Sequence, residues 1–398
     1  MSEWPATLDV DALLARGWRP TPFRQFILKV HSRCDLSCTY CYMYEMADQS
    51  WKFRPKRMSR ETVEATAGRI AEHAKAHDLD SVEVILHGGE PLLAGHDEIR
   101  DLVGLVRSAV PVRVDVSVQT NATLLDTRFL RLFDELEIGV GVSLDGGQAD
   151  HDRSRRTADG RGSYHRVAAA LELLTSEDFR HLFHGLLCTV DLRNDPLGTY
   201  TALLGFDPPL IDFLLPHGNW SEPPPGRVPG SPDTPYATWL ATVFDQWYAT
   251  PSHATRVRLF DEIIHLLLGG QSATEQIGLS PAAMIVIETD GEIEQSDLLK
   301  SAFEGAGNTG LHVARDSFDD LLLLPFTAAR QIARLDPAPE CAACEVGMIC
   351  GGGLFAHRYR AGSGFHNPSV YCADLLRLIK HVGRTVQADV RRRTKDPR

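Results

Sequence analysis

The chain has 398 residues, a formal net charge of −12 and a hydrophobic fraction of 43%. This length is sufficient for one large domain and a smaller one. The excess of acidic residues disfavours nucleic acid as the main partner, because the phosphate backbone is also negative. No apolar run approaches the roughly 18 residues of a membrane helix, and the N-terminus lacks the basic and apolar segments of a signal peptide. We therefore expect a cytoplasmic protein with neither a nucleic-acid nor a membrane partner.

Short apolar stretches alternate with stretches of helical periodicity in the first half of the chain, a pattern typical of βα units and a parallel sheet. Six strands are predicted, at 26–30, 82–86, 112–118, 138–143, 185–190 and 211–215. Helices are predicted at 59–77, with Ser59 as the N-cap, at 126–136 and at 163–174. Six units are too few for a closed eight-stranded barrel. They favour an α/β fold of the partial (β/α)6 type, with functional groups at the C-terminal ends of the strands.

Three cysteines follow the first predicted strand within eight residues: Cys34, Cys38 and Cys41. Three thiolates on one loop can hold three irons of a 4Fe-4S cluster and leave the fourth iron free to bind a substrate. A structural zinc site usually needs four protein ligands, so this spacing fits zinc poorly. The absence of a secretion signal also argues for metal or redox chemistry rather than disulfides. The sequence therefore predicts an iron-sulfur cluster with one open iron.

The Cys-x3-Cys-x2-Cys pattern, with Tyr40 before the third cysteine, resembles the signature of the radical S-adenosylmethionine (radical SAM) enzymes. The resemblance implies that the open iron chelates the amino and carboxylate groups of S-adenosylmethionine (SAM). Reductive cleavage of SAM would then give a 5'-deoxyadenosyl radical. An electron donor such as flavodoxin or ferredoxin is implied as a partner.

Polar residues and glycines follow the predicted strands where SAM would bind. The run from His87 to Pro91 contains two glycines, which let the backbone approach a ligand, and the carboxylate of Glu90; taken alone, it could be a mere turn. By resemblance, this run contacts the amino group of SAM, and Arg155 pairs with its carboxylate, although Arg153 and Arg156 are close alternatives. The implied SAM contacts are Tyr40, Gly88, Gly89, Glu90, Gln119, Asn121, Ser143, Asp145 and Arg155.

A proline-rich stretch at 223–235 interrupts the alternation and is predicted to be a linker or a substrate-flanking loop. Two amphipathic helices follow it, and their apolar stripes are expected to lie in the core. We predict four divisions: an N-terminal extension (1–25), the barrel (26–222), a linker with bridging helices (223–280) and a cluster domain (281–398). The extension is too short for a separate peptide-recognition domain, so a leader peptide would dock on the barrel or on the C-terminal domain.

The C-terminal region carries a second cysteine set: Cys341, Cys344, Cys350 and Cys372. Four thiolates with a Cys-x2-Cys start can hold zinc or a fully ligated 4Fe-4S cluster, and the spacing leaves this choice open. The set resembles the SPASM extension of radical SAM peptide-modifying enzymes, which implies an auxiliary 4Fe-4S cluster. We therefore expect two clusters in the chain, one that binds SAM and one auxiliary.

Several cysteines that SPASM domains normally carry are missing, and Ser296 and Leu354 occupy two of the positions. The resemblance therefore implies that the other auxiliary cluster of these domains is absent. Asp297 stands where related enzymes place a catalytic carboxylate, although it could instead cap a helix. His73 and His77 are four residues apart on a predicted helix without an evident third ligand, so a surface pair is favoured over a metal site.

Three further segments, at 17–26, 44–51 and 287–300, closely resemble the FxsB-type radical SAM/SPASM maturases. The resemblance implies crosslinking of a ribosomal precursor peptide, from an aromatic ring carbon to the β-carbon of a residue two positions later, giving a three-residue cyclophane. Asp297 would be the base, and the auxiliary cluster the electron acceptor. The alternatives are thioether or formylglycine formation by the same radical. A third alternative is a non-catalytic iron-sulfur redox protein, in which the contacts of Glu90 and Arg155 with SAM would be superfluous.

Overall fold

The computed structural model describes residues 4–250, 254–332 and 335–395, so the first three residues of the expected N-terminal extension lie outside it. The strands are β1 (Gln25–His31), β2 (Ser81–Gly88), β3 (Arg113–Thr120), β4 (Ile138–Ser143), β5 (Phe183–Thr189), β6 (Leu210–Leu214), β7 (Arg256–Val257), β8 (Met284–Ile287), β9 (Glu292–Glu294) and β10 (Asn308–His312). They form one sheet in the order β10-β9-β8-β1-β2-β3-β4-β5-β6-β7.

Strands β1 to β6 are neighbours in sequence order, and each runs parallel to the next. The six predicted strands and the open (β/α)6 arrangement are therefore confirmed, with boundaries that differ by a few residues. Strand β8 pairs in parallel with β1, and β9 and β10 complete an antiparallel extension of the same sheet. The proposed division after residue 280 remains a prediction, and the sheet continues across it.

The helices surround this sheet and join its strands. They are α1 (Val10–Ala15), α2 (Arg60–Ala76), α3 (His96–Ala109), α4 (Thr127–Glu135), α5 (Gln148–Ser154), α6 (Tyr164–Leu174), α7 (Pro196–Leu204), α8 (Pro235–Ala249), α9 (Arg258–Leu267), α10 (Phe318–Leu322), α11 (Pro325–Gln331), α12 (Pro339–Ala342), α13 (Gly347–Cys350) and α14 (Cys372–Lys395). Short 3-10 helices span Ser50–Phe53, Pro91–Ala94, Arg180–Leu182, Asp297–Ser301 and Phe355–Arg358. In the described part of the chain, no helix combines the length and apolarity needed to cross a membrane.

Local sequence accounts for these elements. Ser59 begins α2 as predicted, because its hydroxyl accepts a hydrogen bond from the backbone N–H of Thr62. Helices α8 and α9 bury the expected stripes, which include Trp239, Phe244 and Phe260, and α14 packs against both helices. The C-terminal region is thereby fixed against the barrel, over the ends of its strands.

His73 and His77 on α2 were predicted to form a surface pair, and the structure differs from this prediction. His73 is buried, its Nδ1 atom lies 2.6 Å from Oδ1 of Asp319, and its Nε2 atom accepts the N–H of Phe23 at 2.9 Å. His77 reaches the same carboxylate oxygen at 2.9 Å. Asp319 is the third potential metal ligand that the sequence did not indicate. Both ring nitrogens of His73, however, already take part in hydrogen bonds to protein groups. These contacts join α2 to α10 and to the entry of β1.

Candidate active site

A cavity of about 420 Å³ lies at the carboxyl ends of the barrel strands. The residues of its wall that the sequence predicted are Cys34, Cys38, Cys41, Tyr40, Gly88, Gly89, Gln119, Asn121, Ser143, Arg155 and Asp297. The wall also includes Tyr42, which follows Cys41 on the cysteine loop, and His217, Leu354 and His357. The fold therefore gathers one loop, five strand ends and the C-terminal region around a single space.

Two glycines allow the loop after β2 to pack against the cysteine loop. Gly88 has a φ of +152°, and a Cβ atom there would collide with the carbonyl oxygen of His31. A Cβ atom at Gly89 would collide with the backbone of Arg33, next to the first cysteine. Only glycine permits this approach, so the motif found after the second strand has a structural cause beyond any ligand.

Glu90 lies behind the cavity wall. Its carboxylate accepts hydrogen bonds from the hydroxyl of Thr120 at 2.6 Å, the N–H of Asn121 at 2.8 Å and the N–H of Leu92 at 3.0 Å. Complete burial raises the pKa of Glu90 to about 7 although these hydrogen bonds oppose the rise. Glu90 therefore ties the end of β3 to the loop after β2, and its direct contact with SAM remains a prediction.

Asp145 and Arg155 form a buried ion pair beside the cysteine loop. Oδ2 of Asp145 accepts a hydrogen bond from Nε of Arg155 at 2.9 Å and another from the hydroxyl of Tyr40. Arg155 reaches the cavity wall, whereas Asp145 lies behind it. Arg153 and Arg156 bond to other groups outside the cavity. Of the three arginines, Arg155 is the one in the cavity wall, and its contact with the carboxylate of SAM remains a prediction.

The three cysteines of this wall fit a metal cluster. Burial raises the pKa values of all three thiols, that of Cys38 to about 11, so their thiolates require a positive metal partner. In a tetrahedral zinc site, with Zn–S distances of about 2.3 Å, the sulfurs would lie within about 4 Å of each other. No three cysteine sulfurs among the described residues lie within 4.8 Å of one another. The donor set is therefore wider than one zinc ion requires and suits a cluster.

The C-terminal cysteines enclose a much smaller space. Cys341, Cys344, Cys350 and Cys372 line a cavity of about 30 Å³ between α12, α13 and the first turn of α14. A Cβ atom at Gly347 would lie 2.6 Å from the carbonyl oxygen of Cys341, so glycine is needed where the loop closes. Four thiols around this space can ligate every iron of a cubane, which suits electron transfer rather than substrate binding.

Asp297 lies in the cavity wall and does not cap a helix. The 3-10 helix Asp297–Ser301 has Ser296 as its N-cap. Oδ2 of Asp297 instead accepts hydrogen bonds from Nζ of Lys29 at 2.5 Å and from the hydroxyl of Tyr42 at 3.1 Å. The capping alternative is therefore wrong, and the catalytic role remains a prediction.

Lys29 is a site residue that the sequence analysis missed. It is fully buried in β1, and its Nζ atom also lies 3.1 Å from Nδ1 of His87. Burial, the largest single influence, would raise the pKa of Asp297, but the charge and hydrogen bond of Lys29, together with His87 and Lys300, hold this pKa well below its usual range. The sequence did contain a signal for this role, because a lysine inside the apolar stretch 26–30 must have a charged or polar partner when it is buried.

The positions that lack the usual SPASM cysteines have different environments. Leu354 lines the cavity and contributes apolar surface to it. Ser296 is buried next to Asp297, and its hydroxyl has no hydrogen-bond partner among the described residues. The absence of the other auxiliary cluster remains a prediction.

Residues 28–193 match the sequence profile of the Radical SAM superfamily. A cysteine-type anaerobic sulfatase-maturating enzyme of Clostridium novyi (strain NT) is 23% identical over 348 residues, which cover 86% of this chain and 90% of the relative. A serine-type anaerobic sulfatase-maturating enzyme of Klebsiella aerogenes is 25% identical over 361 residues, which cover 88% of this chain and 84% of the relative. Residues 28–193 therefore form a radical SAM domain.

The fold similarity extends beyond that domain. The solved structure of native anSMEcpe with bound AdoMet and the Kp18Cys peptide matches with a TM-score of 0.77 at 23% identity, and the match covers 94% of this chain and 100% of that one. The predicted α/β fold, a partial radical SAM barrel with a SPASM-like C-terminal region, is thus confirmed. None of these three proteins is an FxsB-type maturase, so the narrower resemblance remains a prediction.

Proposed function

We propose that the protein is a radical SAM maturase that removes a hydrogen atom from the β-carbon of a residue in a ribosomal precursor peptide. The observation that carries the proposal is the single cavity that joins the three-cysteine loop to Asp297. Similarity to sulfatase-maturating enzymes over most of the chain supports a peptide or protein substrate. When bound, SAM on the first cluster supplies a deoxyadenosyl radical, and the C-terminal cluster supplies an electron acceptor.

The residues of the chain have separate tasks in this proposal. Cys34, Cys38 and Cys41 hold the first cluster, and the wall from Tyr40 to Arg155 orients SAM. Asp297 accepts the proton that the substrate must lose. Its carboxylate is ionised at neutral pH, and Lys29 and Tyr42 fix its position through Oδ2.

We propose that the reaction is a crosslink between an aromatic ring carbon and the β-carbon of a residue two positions later. The β-carbon loses one hydrogen atom, and the resulting carbon radical forms a bond to the ring. The ring regains aromaticity when one proton passes to Asp297 and one electron leaves the substrate. The product therefore lacks two hydrogen atoms. Support comes from the apolar and aromatic side of the wall, where Tyr42, Leu298 and Leu354 offer surface for a ring.

Formylglycine formation is the second candidate, and the sulfatase-maturating relatives favour it. It begins with the same loss of a β-hydrogen and also releases one proton and one electron. A serine converted to an aldehyde loses two hydrogen atoms, as a crosslinked peptide does, so mass alone does not separate the two reactions. The aldehyde reacts with hydroxylamine, whereas the crosslink does not.

The test is co-expression with a peptide library in which an aromatic residue stands two positions before a varied residue. Crosslinking predicts a loss of two hydrogens, no fragmentation inside the three-residue ring in tandem mass spectra, and no reaction with hydroxylamine. A hydroxylamine adduct would support formylglycine formation instead. Unmodified peptides throughout, with the iron content intact, would contradict both reactions.

A further inference from the structure

We propose that His217 and His357 form a substrate subsite that hydrogen-bonds an uncharged peptide amide beside the reacting residue. This inference rests on the proposed function and adds the substrate group that these two side chains of the cavity wall recognise. Neither residue was indicated by the sequence. Both residues line the same cavity as the three cysteines of the first set.

The two rings continue a line of side chains that begins at Asp297. The hydroxyl of Tyr42 donates to Asp297, and the ring of Tyr42 meets the ring of His217 edge-on at 4.8 Å. His217 follows the C-terminal end of β6, where a barrel of this type carries functional groups. The ring of His357, in the 3-10 helix Phe355–Arg358, lies 5.5 Å from that of His217. A peptide amide bound here would hold its neighbour residue close to Asp297.

Both imidazoles have unused hydrogen-bonding capacity. Nδ1 of His217 and Nε2 of His357 are buried and have no hydrogen-bond partner among the described residues, and His357 is only 3% exposed. The buried rings of His73 and His151, in contrast, are hydrogen-bonded at both nitrogens. Buried polar atoms without partners are rare because they cost free energy. A substrate amide would supply the partner that these nitrogens lack.

The neutral state of both rings favours an uncharged ligand. Burial lowers the pKa of His217 to about 4 and holds the pKa of His357 well below its usual value, so both rings are neutral at pH 7. A neutral imidazole has one donor and one acceptor, as a peptide amide does. Two charged groups act on the pair: Asp297, which is paired with Lys29, and Arg358, whose guanidinium donates to the carbonyl oxygens of Gly351 and Gly353. Leu354, in the same wall, offers apolar surface for the adjoining side chain.

The test uses the library peptide that the wild type modifies best, labelled with a fluorophore. Its affinity is measured by anisotropy on the cluster-loaded enzyme with SAM and without reductant. We expect the double variant His217→Leu/His357→Leu to bind about tenfold more weakly, because two hydrogen bonds are lost. The yield of product per deoxyadenosine should also fall, because a misplaced peptide uncouples the radical. The double variant His217→Gln/His357→Gln keeps amide donors and acceptors and should bind within about threefold of wild type.

A control variant tests whether the loss of affinity is specific to histidines in the cavity. His181→Leu removes an exposed imidazole that lies next to Asp134, outside the cavity, and should leave the affinity unchanged. Replacing an unpartnered histidine by Leu should not lower thermal stability. A loss of iron or of thermal stability in the Leu double variant would therefore assign the pair a structural role and overturn the inference. Wild-type affinity and coupling in the Leu double variant would also overturn it. If the wild type modifies no library peptide, the proposed function itself fails, and the inference fails with it.

Discussion

The two cysteine sets have the same ligand chemistry and opposite surroundings. Cys34, Cys38 and Cys41 stand on one loop and open into a cavity of about 420 Å³. The C-terminal set encloses about 30 Å³ with three thiols from three helices and that of Cys344 from the turn between α12 and α13. The number of ligands and the space beside them, rather than the type of ligand, separate a site that binds a substrate from a site that only carries electrons.

The largest effect is expected from removing the first set. Replacing Cys34, Cys38 and Cys41 together by Ala should abolish SAM cleavage, measured as deoxyadenosine, because no open iron remains.

Replacing the C-terminal set by Ala should stop crosslinking but spare some cleavage of SAM. Iron should fall from about eight per chain to about four in either variant. Deoxyadenosine formation by the first variant would contradict the assignment, and zinc in the C-terminal set would remove its electron-acceptor role.

Asp297→Asn should keep deoxyadenosine formation and lower crosslinked product by about 10²-fold, because the amide is nearly isosteric but cannot accept the proton. The ratio of product to deoxyadenosine, by mass spectrometry, is the measurement. Glu304→Gln, at an exposed carboxylate outside the cavity wall, is the matched control and should behave as wild type. Full crosslinking by the Asn variant would leave deprotonation to water or to a substrate group.

Lys29→Met should destabilise the protein by about 3–5 kcal/mol, because Asp297 is left as an uncompensated buried charge. In the wild type the pKa of Asp297 is depressed, so its stabilising contribution is present above the unfolded pKa, about 3.9, and is lost as the pH falls through the folded pKa. Without Lys29 this pKa should rise, and product formation should then fall as the pH is lowered from about 8 to about 6.

Two measurements check this prediction: chemical denaturation, and the pH profile of product formation. The double variant Lys29→Met/Asp297→Asn should regain much of the lost stability, since no buried charge remains. A pH profile of Lys29→Met that matches the wild type would show that Lys29 does not control Asp297.

The features that could be predicted from the sequence are those that depend on residues close together in the chain. The strands β1 to β6 and the start of α2 at Ser59 follow from apolar runs and capping, and the two cysteine sets stand in compact patterns. Lys29, His217 and His357 were missed because their roles come from partners far apart in sequence. Lys29 meets Asp297 across 268 positions, and only the pairing of β1 with β8 brings them together. The same reason explains why Asp319 was not anticipated beside His73.

The most direct test of the account uses the modified library peptide with deuterium at the β-carbon of its target residue. The proposed reaction predicts that one deuterium moves into deoxyadenosine while the crosslinked peptide loses it. This transfer should disappear in the Cys34/Cys38/Cys41→Ala variant and persist when the C-terminal cysteines are replaced. Deuterium retained in the peptide, with unlabelled deoxyadenosine, would contradict β-hydrogen abstraction in the cavity beside the cysteine loop.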